Sequence, residues 1–117
     1  MNFGLTSEQQ MLVDSAKAFV EKELVPYENE VEKTDEVRPE LIQQIHAKAQ
    51  ATGLYAANMP EDLGGGGLDH VAFTLLEREL GRTSFALQYA VHRPSNILRA
   101  CNEEQKQRYL LPTIRGE

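Results

Sequence analysis

Apolar residues recur along this chain at helical rather than strand spacing. Leu12, Ala16, Phe19, Val20 and Leu24 are separated mainly by steps of three and four, which gathers them on one helical face. Thr6-Ser7-Glu8-Gln9 precedes them in the form of a capping box, with Thr6 accepting from the amide of Gln9. Pro26 is expected to end this first helix, and Tyr27 to Lys33 to add one or two acidic helical turns. Pro39 suits the first position of the next helix, whose stripe is Leu41, Ile42, Ile45 and Ala49 and whose left-handed close is Gly53. Leu54 to Pro60 reads as an apolar, extended segment.

The second half repeats the pattern. Asp69 caps a helix with Ala72, Leu75, Leu76 and Leu80 on its inner face, closed by Gly81. Thr83 and Ser84 start another, running through Phe85, Leu87 and Val91 until Pro94 kinks or restarts it. Asn102-Glu103-Glu104-Gln105 begins a last helix with Tyr109, Leu110 and Leu111 at its apolar end, and Pro112 opens one further turn. No segment alternates cleanly and no internal repeat is evident. The expected fold is all-α, a bundle of about five or six helices with short connections.

The 117 residues suffice for one domain. Composition is that of a globular protein, 41% hydrophobic and 26% charged, and no apolar run is long enough to span a bilayer. The net charge of −6 argues against nucleic acid. The acidic run from Glu21 to Glu40 reads as a solvated helical face. Cys101, the single cysteine, fits a reducing cytoplasm, and no cysteine–histidine cluster has metal-ligand spacing.

Four consecutive glycines, Gly64 to Gly67, invite a phosphate-loop reading. They are followed by Leu68-Asp69-His70 rather than by Lys and Ser or Thr, so a flexible connection with positive backbone angles is favoured. His46, His70 and His92 form no constellation with a nucleophile, and packing or surface roles are expected of them. Glu77 and Glu79 are two residues apart and cannot share a helix face, so no acid–base pair is nominated. Glu77 and Arg78 read as solvent or interhelix salt-bridge groups. The segment Phe85 to Pro94 is the most unusual. It sets Gln88, Tyr89, His92 and Arg93 on an otherwise apolar helix, a pattern suited to a ligand cleft or to the half-exposed edge of a core helix.

Three stretches resemble the acyl-CoA dehydrogenase family. They are Leu5 to Gln10; Met59-Pro60-Glu61-Asp62-Leu63-Gly64-Gly65, followed by Glu77-Arg78-Glu79-Leu80-Gly81-Arg82; and Asn102 to Pro112 with Arg115-Gly116-Glu117. The resemblance covers essentially the whole chain and implies that residues 1–117 are the N-terminal helical domain, with the central β-domain and C-terminal helical bundle of the family absent. It further implies FAD, an acyl-CoA substrate dehydrogenated between its α and β carbons, an electron-transferring flavoprotein or similar acceptor, and a homo-oligomer. No glutamate here matches the family's catalytic base, so no catalytic residue is carried over and no activity is expected of these residues alone. One wall of the acyl pocket is carried over, as Gln88, Tyr89, His92 and Arg93. Arg93 then either pairs with a polar or carboxylated acyl group or bridges to the β-domain, the second being preferred. The rival expectations are a stand-alone helical interaction module, half of a split flavoenzyme, or a relative that runs another flavin reaction.

Overall fold

The computed structural model describes residues 3–91 and 93–117, and among these there is no strand. Five α-helices of seven residues or more make the body: α1 (Ser7–Phe19), α2 (Glu28–Thr34), α3 (Pro39–Ala51), α4 (His70–Leu80) and α5 (Phe85–Val91). A C-terminal helical run follows as α6 (Glu103–Gln105), a π-helical turn at Lys106–Leu110, and α7 (Leu111–Ile114). The domain is a slab of 43 × 43 × 21 Å, two helix diameters thick. Its radius of gyration of 15.1 Å exceeds the value of about 13 Å that a compact chain of this length takes.

Local chemistry sets the helix starts. The box at Thr6 closes both ways: its hydroxyl accepts from the Gln9 amide at 3.1 Å, and Gln9 Oε1 accepts from the Thr6 amide at 3.0 Å. Asn102 and Gln105 repeat this at α6. Asp69 caps α4 through the Ala72 amide at 2.8 Å. Thr83 is diverted from capping, because its hydroxyl donates to Glu28 of α2 at 2.7 Å. Ser84 starts α5 instead, its carbonyl accepting from the Gln88 amide.

Pro26 does not end the helical path. Before it, α1 loosens into a π turn at Val20–Leu24, closed by the Val25 amide on the Val20 carbonyl, and a 3₁₀ turn at Val25–Tyr27 then carries the chain into α2. The C-terminal run has the same order. A π turn at Lys106–Leu110 is closed by the Leu111 amide on the Lys106 carbonyl, and Pro112 comes next. A proline ring collides with the carbonyl four residues earlier in α geometry. A widened turn just upstream carries that carbonyl aside, so each proline is absorbed without a break. Pro94 does restart the chain, as a 3₁₀ turn at Asn96–Ala100.

The core unites one face of each of the five longer helices, Val31 being the contribution of α2, with the C-terminal run. Ala16, Phe19, Val20 and Leu24 meet Leu41, Ile45 and Ala49 of α3, Leu76 and Leu80 of α4, Leu87, Ala90 and Val91 of α5, and Leu110 and Ile114. Three expected core residues face outward instead: Ile42, Phe85 and Tyr109 are 41%, 78% and 48% exposed. Residues 54–60 are not extended. They fold into successive turns that bury Leu54, Tyr55, Ala56, Ala57 and Met59.

The glycine run packs against those turns rather than hanging free. Gly64 has φ 96°, the left-handed geometry that closes the short 3₁₀ turn Glu61–Leu63. Gly66 has a different reason: a Cβ there would lie 2.9 Å from the Cα of Ala57. The expected flexible connection is therefore a tight backbone-to-backbone junction.

Candidate functional site

A cleft of about 560 Å³ opens between α4, α5 and residues 93–96. Its floor is aliphatic, from Leu76 and Leu80 of α4 and Val91 of α5, while Phe73, Phe85 and Tyr89 supply aromatic faces. Gln88, Tyr89 and Arg93 all line it, so three of the four residues singled out in the sequence share one concave surface. His92 lies outside the described residues.

Glu77 and Asn58 complete the polar side and were not among the expected site residues. Arg93 Nη1 donates to Glu77 Oε2 at 2.5 Å, and Gln88 Nε2 lies 3.5 Å from the same oxygen. The Arg93 guanidinium also stands over the Phe73 ring, 5.6 Å from its centroid. Arg93 is thus held inside this domain, between two residues of α4. Glu77 acts as the interhelix salt-bridge group expected of it. Its place at the cleft is visible in spacing, since Phe73, Leu76, Glu77 and Leu80 fall on one face of α4. Asn58 comes from the buried turns and fixes the far wall, donating to the Pro94 carbonyl at 2.7 Å and to Asn96 Oδ1 at 2.9 Å.

Phe85 and Tyr89 stand one helical turn apart with ring centroids 6.2 Å from each other. They form a ridge, because both also line a second, shallower groove of about 460 Å³ with Val37, Ile42 and His46. Their exposures of 78% and 66% leave much of this aromatic surface uncovered.

Other titratable groups are used structurally. His46 packs edge-on against Tyr55, ring centroids 4.5 Å apart, and burial lowers its pKa below the usual 6.5. Burial likewise raises the Tyr55 phenol, which donates to the Thr113 carbonyl and ties α7 to the core. His70 is exposed at the start of α4. Glu79, 1% exposed, is paired with Arg78 at 3.2 Å and Arg82 at 2.7 Å. No group of three or more His, Cys, Asp or Glu among the described residues has metal-binding geometry. No helix among them is long and apolar enough to cross a membrane.

A dinucleotide such as FAD needs free amides or cations for its phosphates. The glycine run has none to give. The amides of Gly64, Gly65, Gly66 and Gly67 donate to the carbonyls of Glu61, Pro60, Ala56 and Met59 at 2.8 to 3.0 Å. The N-terminus of α4 is already capped by the Asp69 carboxylate, which repels a phosphate. These residues do not fit the pyrophosphate of a flavin dinucleotide.

The fold and cleft define a helical domain with an open, apolar-floored and aromatic-rimmed cleft on one side. The family model for the acyl-CoA dehydrogenase N-terminal domain matches residues 6–117, and the chain belongs to the acyl-CoA dehydrogenase family as its N-terminal domain. It is 36% identical to the probable acyl-CoA dehydrogenase YngJ of Bacillus subtilis (strain 168), with 99% of this chain and 31% of that protein covered. It is 35% identical to the mitochondrial short-chain specific acyl-CoA dehydrogenase of Sus scrofa, covering 97% of this chain and 28% of that one. A 3-(aryl)acrylate reductase of Clostridium sporogenes (strain ATCC 15579) is 31% identical, with 96% and 30% covered. The chain therefore spans about 30% of the length of these relatives. No solved structure gives a significant match.

Proposed function

We propose that this domain forms one wall of the acyl pocket in a longer, FAD-dependent acyl-CoA dehydrogenase, which oxidises an acyl-CoA thioester between its α and β carbons. The observation that carries the reading is the open cleft, on which Gln88, Tyr89 and Arg93 converge over an apolar floor. Its task is to bind and orient the acyl chain and to exclude water from it. His92 joins the other three on its place in the sequence. The flavin and the catalytic base belong to the central β-domain and C-terminal bundle of the longer protein; that the glycine-run amides are all bonded within this domain supports placing the flavin there. The longer protein is a cytoplasmic homo-oligomer that passes electrons to an electron-transferring flavoprotein or a similar acceptor. The exposed ridge of Phe85 and Tyr89 suits burial against another domain or subunit.

The name of the Clostridium sporogenes relative favours a second reading, reduction of an arylacrylate, with Phe73, Phe85 and Tyr89 facing an aromatic ring. One experiment separates the two. The longer protein and the 117-residue chain are assayed side by side with acyl-CoA thioesters and an artificial acceptor, then with arylacrylates and a reductant. Oxidation of acyl-CoA by the longer protein alone, with a higher KM in Tyr89→Ala, is the expected result. Stoichiometric FAD and turnover in the 117-residue chain would overturn the reading, and so would a longer protein that oxidises no thioester.

A further inference from the structure

Among the described residues two charged side chains line the cleft, Glu77 and Arg93, and they are paired with each other. The rest of the described polar lining is uncharged: Asn58, Gln88, Tyr89, Ser95 and Asn96. We infer that the Glu77–Arg93 pair is a specificity device that restricts the cleft to acyl groups without a charged end. This rests on the cleft being an acyl pocket.

An arginine in a substrate cleft ordinarily suggests a carboxylate ligand. Here that role is cancelled. Glu77 occupies the guanidinium at 2.5 Å and is itself 75% shielded, its side chain being 25% exposed. A substrate carboxylate reaching Arg93 has two courses. It adds beside Glu77 and meets a like charge, or it displaces Glu77 and leaves that carboxylate unpaired in a half-closed site. Displacement exchanges one carboxylate for another and gains nothing to offset the bared charge. An uncharged chain avoids both costs and packs on Leu76, Leu80 and Val91. The domain's net charge of −6 acts in the same direction. Glu77 works through Arg93 and is a positioning residue. The stacking of Arg93 on Phe73 adds a second restraint, keeping the cation on the α4 side of the cleft.

The test uses the FAD-loaded longer protein and compares dissociation constants for butyryl-CoA and glutaryl-CoA, which differ chiefly in the terminal carboxylate. Wild type is expected to favour butyryl-CoA. Glu77→Gln frees Arg93 and shrinks that preference by about five- to tenfold, the range for a partly exposed charge-assisted contact. Glu77→Asp keeps the wild-type ratio, and Glu77→Gln combined with Arg93→Gln returns towards it. Arg93→Gln alone bares Glu77 and enlarges the ratio, giving an independent reading should Glu77→Gln fold poorly. In turnover the Glu77→Gln change appears in the KM for glutaryl-CoA rather than in kcat. A purely structural role for the pair would weaken both ligands alike. Equal wild-type affinity for the two thioesters, or a ratio unmoved by Glu77→Gln and Arg93→Gln, overturns the inference and leaves the acyl-pocket reading standing. Binding of neither thioester overturns both.

Discussion

Gly65 and Gly53 are glycines for different reasons, and substituting alanine at each separates those reasons. A Cβ on Gly65 would lie 2.5 Å from the carbonyl carbon and Cβ of Met59, where carbon atoms ordinarily keep about 3.5–4 Å. Met59 is fully buried and cannot swing aside. Its carbonyl accepts from Gly67 at 2.8 Å, and the Gly65 amide donates to Pro60 at 2.9 Å. The junction must therefore open by about 1 Å. Overpacking of this kind costs about 1–3 kcal/mol. Two weakened hydrogen bonds add about 1 kcal/mol together if each loses half its worth. The expected loss for Gly65→Ala is about 3 kcal/mol, or roughly 10 °C in Tm for a domain of this size. Gly53 has φ 76° and nothing within 4 Å of a Cβ. Gly53→Ala meets only the left-handed penalty of about 1–2 kcal/mol, partly offset by a stiffer unfolded chain. Its net cost is about 1 kcal/mol on those grounds. Urea unfolding followed by circular dichroism measures both. Equal losses, or a Gly65→Ala protein within about 1 kcal/mol of wild type, would refute the close-approach argument.

Substitutions at two further positions, the half-buried His46 and the buried Glu79, probe titratable groups. His46 has a folded pKa below 6.5, so above 6.5 both folded and unfolded forms are neutral and its contribution is fully present. As pH falls below 6.5 the unfolded chain takes up the proton first, and stability is lost as pH passes through the lowered folded value. The drop in urea midpoint between neutral and mildly acidic pH should shrink in His46→Gln; parallel curves for the two proteins would contradict this. Glu79 is 1% exposed between two arginines that are 57% and 56% exposed. Glu79→Ala should cost about 2–3 kcal/mol, below the usual range for a broken buried pair because the arginines can turn to water. Glu79→Met, similar in volume, should stay within about 1 kcal/mol of wild type. A methionine variant as unstable as the alanine one would show that charge rather than filled volume holds that position.

The helices were legible because local rules govern them. Capping at Thr6, Asp69 and Asn102 involves residues three apart, and each cap is present. Stripes at Leu41, Ile45 and Ala49 or at Leu75, Leu76 and Leu80 need only helical periodicity. Errors came where distant segments decide. Phe85 belongs to an apolar stripe by spacing, yet no neighbour covers it. Residues 54–60 read as extended because they are apolar, but Ala56 at φ 55° and the returning glycine run turn them into a set of buried turns. The cleft was half legible. Polar groups on an apolar helix marked Gln88, Tyr89 and Arg93, whereas Glu77 and Asn58 lie 11 or more residues from them and became site residues only through packing.

The cleft's position follows from the prolines. Pro26 and Pro112 are preceded by π turns that keep the chain helical, and both lie away from the cleft. Pro94 has no such turn in the described residues before it. Its chain breaks, and the backbone carbonyl at that break is taken by Asn58 rather than by a helical amide. The helix end frees Arg93 from helical geometry and lets it return to Glu77 of α4 across the opening. A helix continuing through residue 94 would carry the chain past α4. The broken helix instead gives the cleft its far wall at residues 94–96 and its neutralised polar edge at Glu77 and Arg93. The sequence feature that disrupts regular structure in this half of the domain is thus the one that shapes the cleft.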